Sequence, residues 1–483
     1  MKRTPKKIWA LFTTIVLGVA CIISHRLIEQ GAGSEFNQTI GLLGLFAFLW
    51  CGFTICVRTG TMFSLVFMFE FAFYILTLGQ SFLYGLGIDL DSTLDLYLQN
   101  PASQVNRAYL FSICCLLALH IGILLYSPQR RRKKRNDASV DYTRSMKTVA
   151  HIGLPIAFIA YAYQMVSLFS VYSASGYSDA YESISGTSLF IKLVNIIAKF
   201  FPFLLFLLLA AYRDNKRKRL PIIITLLFIS FLNFAIGNRS EPICYIMAVL
   251  WFYRRYAENR AEKRRAARWL MITALLLLII VPIIGEARNT GELSLATVLN
   301  SFSGTESAIE QIKKTIISMG WSAFPTIKTM YLIPSLYNYH YGQSYFFALL
   351  AIIPNIFGGT HIAVKYAGLP QWLKKALHMS FGPGFSMPAE AYYNFGWMGI
   401  AAMPFLGLLI AKILDESAEK ESAMRLYVMM AGFVILFSIP RREMLTAVRT
   451  FAYYIGIVYL AVRFIHRCTT PRHSREQQYF TEF

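Results

Sequence analysis

The chain is 483 residues long, 56% hydrophobic and only 15% charged, with a net charge of +21. So little polar surface cannot cover a water-soluble globule of that size, which excludes a soluble enzyme and indicates an integral membrane protein. The positive charge does not point to a nucleic-acid partner, because the basic residues cluster in short loops between apolar blocks, where the positive-inside rule places them.

In chain order, MKRTPKK precedes an apolar run with no small-residue cleavage site after Cys21, so a retained first helix is expected. Apolar blocks able to cross ~30 Å of hydrocarbon at 1.5 Å per residue follow one another along the chain. They lie at 8–24, 39–57, 61–84, 107–126, 148–172, 189–212, 220–236, 242–256, 269–285, 396–414, 423–439 and 448–465, giving twelve predicted spans. The seventh and eighth are short and are expected to pair tightly around 237-GNRSE-241. The predicted fold is all-α and polytopic, a single membrane domain over 1–483. Residues 1–236 form spans one to seven, 237–465 the catalytic half, and 466–483 a cytoplasmic tail.

A cytoplasmic N-terminus puts 130-RRRKKR-135, 213-RDNKRKR-219, the run Arg254 to Arg268 and the tail on one side, with most of the 47 lysines and arginines. These runs read as topology signals near anionic lipid heads. The one long extracytoplasmic segment is then 286–395. It opens with an amphipathic helix predicted over 293–317. An aromatic cluster follows (Trp321, Tyr331, Tyr337, Tyr339, Tyr341, Tyr345), then 345-YFFALLAIIPNIFGG-359, which reads as an interfacial or re-entrant element. Glu70 and Lys199 are the only charges placed well inside spans. The cysteines (Cys21, Cys51, Cys56, Cys114, Cys115, Cys244, Cys468) show no CxxC and no Cys/His ligand spacing, so neither disulfides nor zinc are expected to organise the protein.

Arg239, Arg288, Arg441, Arg442 and Arg449 fall at or near outer helix ends, against the charge asymmetry. Such arginines are costly near hydrocarbon, and their planar forks match phosphate oxygens, so the set suits a diphosphate. Snorkelling, or pairing with Glu241, Glu286 and Glu443, is the structural alternative.

The stretch 382-GPGFSMPAEAYYNFGW-397 is the other constellation. Its glycines and prolines, together with Ser386, delay a regular helix until about Ala389, which puts Glu390 in the first turn of a helix leading into the tenth span. Beside Tyr392, Tyr393 and Asn394, that carboxylate is placed to orient a sugar hydroxyl or accept its proton, or else to support its own helix. The tyrosines and Trp397 offer faces for sugar rings and equally fit an interfacial aromatic belt. The pair in 89-DLD-91 is read as solvated loop rather than a metal site. Among the outer histidines His340, His361 and His378, only His378 lies close to the glycine stretch.

The order short span, GNRSE, short span; 339-YHYGQSYFFALLAIIPN-355; GPGFSMPAEAYYNFGWMG; and an outer arginine pair before the last span resembles the O-antigen polysaccharide polymerases of the Wzy type over 237–459. The resemblance implies a bacterial inner-membrane glycosyltransferase with a GT-C-like helical fold, its active site facing the periplasm or cell exterior. It implies transfer of a growing glycan from undecaprenyl diphosphate to the next lipid-linked repeat unit, with no metal or other cofactor. By analogy with O-antigen ligases, Arg239, Arg288 and Arg441 or Arg442 would hold the diphosphate, and Arg442, Arg449 and Glu241 would be substrate contacts. Glu390 would orient or deprotonate the acceptor, while Ser386, Tyr392, Tyr393, Asn394 and His378 contact substrate. The partners implied are the lipid-linked donor and acceptor, the bilayer, a chain-length regulator and a flippase. An O-antigen ligase and a lipid-linked oligosaccharide flippase are the rival readings. The histidine-bearing motif of the first is not recognisable here, and the second should carry more charges in mid-span.

Overall fold

A computed structural model describes residues 4–29, 36–127, 141–184, 189–236, 238, 240–257, 259–273, 276, 308–353, 360–417 and 422–469. Among these there is no strand, so the all-α expectation holds. Among the described residues, ten helices are long and apolar enough to cross a bilayer, and the chain is a multi-pass membrane protein. They differ from the twelve predicted spans at two places. The block 242–256 forms a helix of 16 residues (Ser240–Arg255), shorter than a span, and 269–285 lies mostly outside the described residues.

The chain divides into two compact units, each taking segments from both ends of the sequence. The first comprises Met1–Pro128, Ser307–Ser417 and Ile435–Thr450. It contains α1 (Thr4–Glu29), α2 (Phe36–Thr59), α3 (Leu65–Gly85), α4 (Leu96–Gln99) and α5 (Ala102–Leu125). The second comprises Gln129–Glu306, Ala418–Val434 and Phe451–Phe483. Within it, α6 (Thr143–Ile184) runs along α7 (Leu189–Ala211), while α8 (Lys216–Ala235) pairs with α9 (Ser240–Arg255) as the short-span pattern predicts. Next comes α10 (260–273). Asn233 on α8 donates to the Tyr161 hydroxyl at 2.9 Å, and Lys199 on α7 pairs with Glu241 at the head of α9 at 3.8 Å.

The first unit continues with α11 (Ala308–Gly320), α12 (Phe324–Leu332), α13 (Gln343–Leu349), α14 (Ile362–Ala367), α15 (Leu369–Ala376), α16 (Met387–Phe395) and α17 (Met403–Ile413). Apolar residues on one face of α11, Ile316 and Ile317, bury against Leu83 and Leu90, and Gln80 of α3 donates to the Ile317 carbonyl at 3.1 Å. That polar bond matters in a bundle where apolar contact alone discriminates little between packings. The helices α5 and α17 cross at backbone contact. A side chain at Gly407 would meet the Leu119 carbonyl at 2.0 Å, and one at Gly122 the Pro404 carbonyl at the same distance. Small residues are what permit such an approach.

The last elements are α18 (Ala423–Leu436), α19 (Met444–Phe451) and α20 (Val458–Thr469), with a 3₁₀ turn over Ile439–Arg441 and a π segment over Ala452–Ile457. In the second unit the ring of Tyr454 stacks on Phe203 at 4.9 Å, and its carbonyl accepts from the Tyr427 hydroxyl. In the first, Leu445 of α19 packs with Ala348, Ala351, Ala363 and Ala367. This cluster ties α19 to α13 and α14, and so brings the 439–444 turn close to the head of α16.

Candidate functional site

The helix α16 starts two residues earlier than predicted, at Met387, because Pro388 falls in its first turn, where the missing N–H would have had no partner. Ser386 is its N-cap, accepting from the Ala389 N–H at 3.4 Å, and its Oγ lies 2.9 Å from the Thr326 hydroxyl of α12. The helix ends at Gly396, whose φ of 57° and ψ of −139° suit glycine alone. A side chain there would also meet the Tyr339 ring at 2.8 Å. The tenth span is therefore broken. A 3₁₀ stretch over Gly396–Ala402 separates α16 from α17.

Glu390 does stand in the first turn, but it is 2% exposed, and neither carboxylate oxygen is vacant. Oε1 accepts from the Ser344 hydroxyl at 2.7 Å, and Oε2 accepts from the backbone N–H of Met444 at 2.6 Å. One turn further on, Asn394 donates from Nδ2 to Ser344 Oγ at 2.7 Å and to the Glu390 carbonyl at 2.8 Å. Between the side chains the donors therefore run one way, Asn394 to Ser344 and Ser344 to Glu390, while the Ser344 backbone N–H donates back to Asn394 Oδ1 at 3.4 Å. Met444 is the first residue of α19, so Glu390 caps the N-terminus of a different helix. Because Arg442 is two residues before Met444, the carboxylate anchors the arginine-bearing turn. That turn packs on α3 and α16. Arg441 and Arg449 are exposed, Arg442 half-buried, and Glu443 accepts from the Thr446 hydroxyl at 2.6 Å.

The two tyrosines of α16 are buried, at 1% for Tyr392 and 3% for Tyr393, so protein rather than solvent covers their rings. Tyr393 stacks face to face on His340 at 4.1 Å and meets the edge of Trp372 at 4.8 Å. Tyr392 packs against Phe111 at 5.3 Å. The extended stretch before α13 runs along the end of α16, with His340 N–H donating to the Tyr393 carbonyl and Tyr341 N–H to that of Asn394. Exposure is concentrated at Tyr341 (79%) and along the approach to α16, where Gly382 and Gly384 have nothing within 4 Å of the side-chain position. On the same approach, His378, Gln371, Lys374, Lys375 and Met379 line an open depression of about 670 Å³. Lys328 of α12, over the ring of Phe324 at 5.5 Å, has its pKa lowered by burial.

The first unit thus assembles Ser386, Glu390, Tyr392, Tyr393 and Asn394 with the turn carrying Arg441 and Arg442. Glu241 belongs to the second unit, and Arg239 and Arg288 lie outside the described residues. Ser344, Thr326 and the Met444 N–H were not singled out from the sequence. The Gly342–Ser344 step inside 339-YHYGQSYFF-347 is the signal that leads to Ser344, since Gly342 adopts φ 86° immediately before α13.

Residues 7–472 match the family model described as O-antigen polysaccharide polymerase Wzy. No curated protein and no solved structure matches the chain.

Proposed function

As the chain belongs to the Wzy family of O-antigen polysaccharide polymerases, we propose that it joins undecaprenyl-diphosphate-linked repeat units on the outer face of a bacterial inner membrane. In the reaction an acceptor hydroxyl forms a new bond to the donor's anomeric carbon, the bond from that carbon to the diphosphate breaks, and the hydroxyl proton leaves to a base or to the departing diphosphate. No nucleotide sugar is needed, because the diphosphate is already carried by the lipid. A chain-length regulator and a flippase are the protein partners this reading implies.

Arg441 and Arg442 neutralise the leaving diphosphate, an interaction that strengthens as charge develops on it; Arg239 and Arg288 are assigned to it by the resemblance to O-antigen ligases alone. Glu390 is a positioning residue. The observation that carries this is its pair of accepted bonds, one from Ser344 and one from the Met444 N–H at the end of the arginine turn. A general base needs a lone pair directed at substrate, whereas each oxygen of this carboxylate already accepts from the protein and the group is 2% exposed. Tyr392 and Tyr393 hold the helix in register. The open backbone at Gly382 and Gly384, with His378 nearby, is where bulky glycan approaches.

The test in cells is loss of the chain's gene, with surface glycan run on a gel. A polymerase leaves core carrying a single repeat unit in place of the ladder. Loss of all repeat units from the core would point to a ligase or a flippase instead; lipid-linked polymer would then accumulate for the ligase and be missing for the flippase.

A further inference from the structure

Three helices of the first unit converge on a second polar cluster, inside the spans and five to eight residues from their ends at Thr59, Leu65 and Leu125. Cys51 of α2, Glu70 of α3 and His120 of α5 each offer a ligand atom, and the three atoms lie within 4.8 Å of one another. All three residues are fully buried. His120 Nδ1 is 2.7 Å from Glu70 Oε1, and His120 Nε2 is 2.6 Å from the Thr54 hydroxyl. Glu70 Oε2 is buried and has no hydrogen-bond partner. An oxygen left bare in a low-dielectric interior is costly, and it marks a place where a ligand would bind.

We propose that Cys51, Glu70 and His120 hold one divalent transition-metal ion of the zinc class, locking α2, α3 and α5 together. The donor set is the soft-and-borderline mixture that zinc selects. Tetrahedral zinc with bonds of 2.0–2.3 Å needs its ligand atoms roughly 3.3–3.8 Å apart, so the observed spacing closes with side-chain adjustment of about 1 Å. Thr54 supports the arrangement from behind. Its hydroxyl lies 2.9 Å from the Cys51 carbonyl, to which it donates. At 2.6 Å from His120 Nε2 it is placed to accept from Nε2–H, the tautomer that a metal on Nδ1 requires.

Charge decides the choice of ion. With Nε2–H donating to Thr54, the 2.7 Å contact between Nδ1 and Oε1 holds a single shared proton when no metal is bound, and the cluster is neutral. With metal, a dication, a thiolate, a carboxylate and a neutral imidazole again sum to zero, the only net charge a bilayer interior tolerates cheaply. One ion enters and two protons leave, one from the thiol and one from the Glu70–His120 bridge. A monovalent ion would be neutralised by the thiolate alone and would leave the Glu70–His120 proton in place, so only a dication brings all three donors onto the ion. Since the cluster is closed to solvent, the ion is taken up as the helices assemble, and its role is structural.

The full-length protein, purified in detergent through a tag without histidines from cells grown with added Zn²⁺, should carry about one zinc per chain by elemental analysis. Protein from Co²⁺-supplemented cells should show a thiolate-to-cobalt charge-transfer band. Cys51→Ser should abolish that band, and His120→Ala and Glu70→Gln should lower bound metal by at least about tenfold. Cys114→Ser, on a buried cysteine outside the cluster, should leave it unchanged. Wild-type protein without metal, or metal that persists in Cys51→Ser and His120→Ala, overturns the proposal and leaves Glu70–His120 as a hydrogen-bonded helix tie. Should a variant fail to accumulate, the wild-type cobalt spectrum decides alone.

Discussion

Replacing Glu390 by glutamine separates a positioning carboxylate from a general base. Both groups facing Glu390 are donors: the Met444 N–H, and the Ser344 hydroxyl, which already accepts from Asn394. A carboxylate accepts at both oxygens, whereas an amide has one acceptor and one donor group, so in Glu390→Gln one buried donor must face another. Leaving one donor unsatisfied costs about 1–3 kcal/mol. If that strain is relieved by releasing the 441–444 turn, turnover falls by roughly 5- to 150-fold, at 1.36 kcal/mol per decade. The assay is initial rate against lipid-linked repeat units, with kcat and KM separated, for Glu390→Gln, Arg442→Ala and the double variant. A residue that acts through the turn should add little to the loss already caused by Arg442→Ala. If instead the two losses multiply, with a kcat drop of ~10²–10⁴-fold and loss of one limb of the pH–rate profile, Glu390 is a base and the positioning argument is wrong.

Other consequences are open to simpler measurements. Arg239→Ala, Arg288→Ala and Arg441→Ala should each shorten or abolish the polymer with the protein still inserted, and lysine should rescue poorly where the contact is a bidentate fork; wild-type ladders from all three would remove the diphosphate clamp. Gly396→Ala should destabilise the protein by about 1–3 kcal/mol, read as a lowered melting temperature in detergent, because a left-handed position is forced and its new side chain meets Tyr339. In a background freed of other reactive thiols, cysteine at Asn338 or Ser303 should react with an impermeant reagent on intact cells, while the exposed Cys468 should react only after lysis. The reverse pattern would invert the topology.

Much of this was legible in the sequence, because spans are read from length and hydropathy and those signals are local. The block 242–256 is not confirmed as a span, since its described helix, Ser240–Arg255, has 16 residues and closes on Arg254 and Arg255. The first-turn position of Glu390 followed from the proline and glycine spacing. What it touches did not, since Ser344 and Met444 are 46 and 54 residues away and no periodicity encodes such a contact. Cys51, Glu70 and His120 were invisible as a set for a related reason. Ligand motifs are recognised when two donors share a helix or loop, and here each donor comes from a different span.

The proposed function requires that this chain alone extend lipid-linked repeat units. The most direct measurement places the purified protein in proteoliposomes with a single lipid-linked repeat unit as both donor and acceptor, and resolves the products on a gel over time. A polymerase gives a ladder spaced by one repeat unit and growing with time, with undecaprenyl diphosphate released in proportion to the linkages made. Repeat units that remain unjoined while moving between leaflets, or that appear only on added lipid A core, would contradict it.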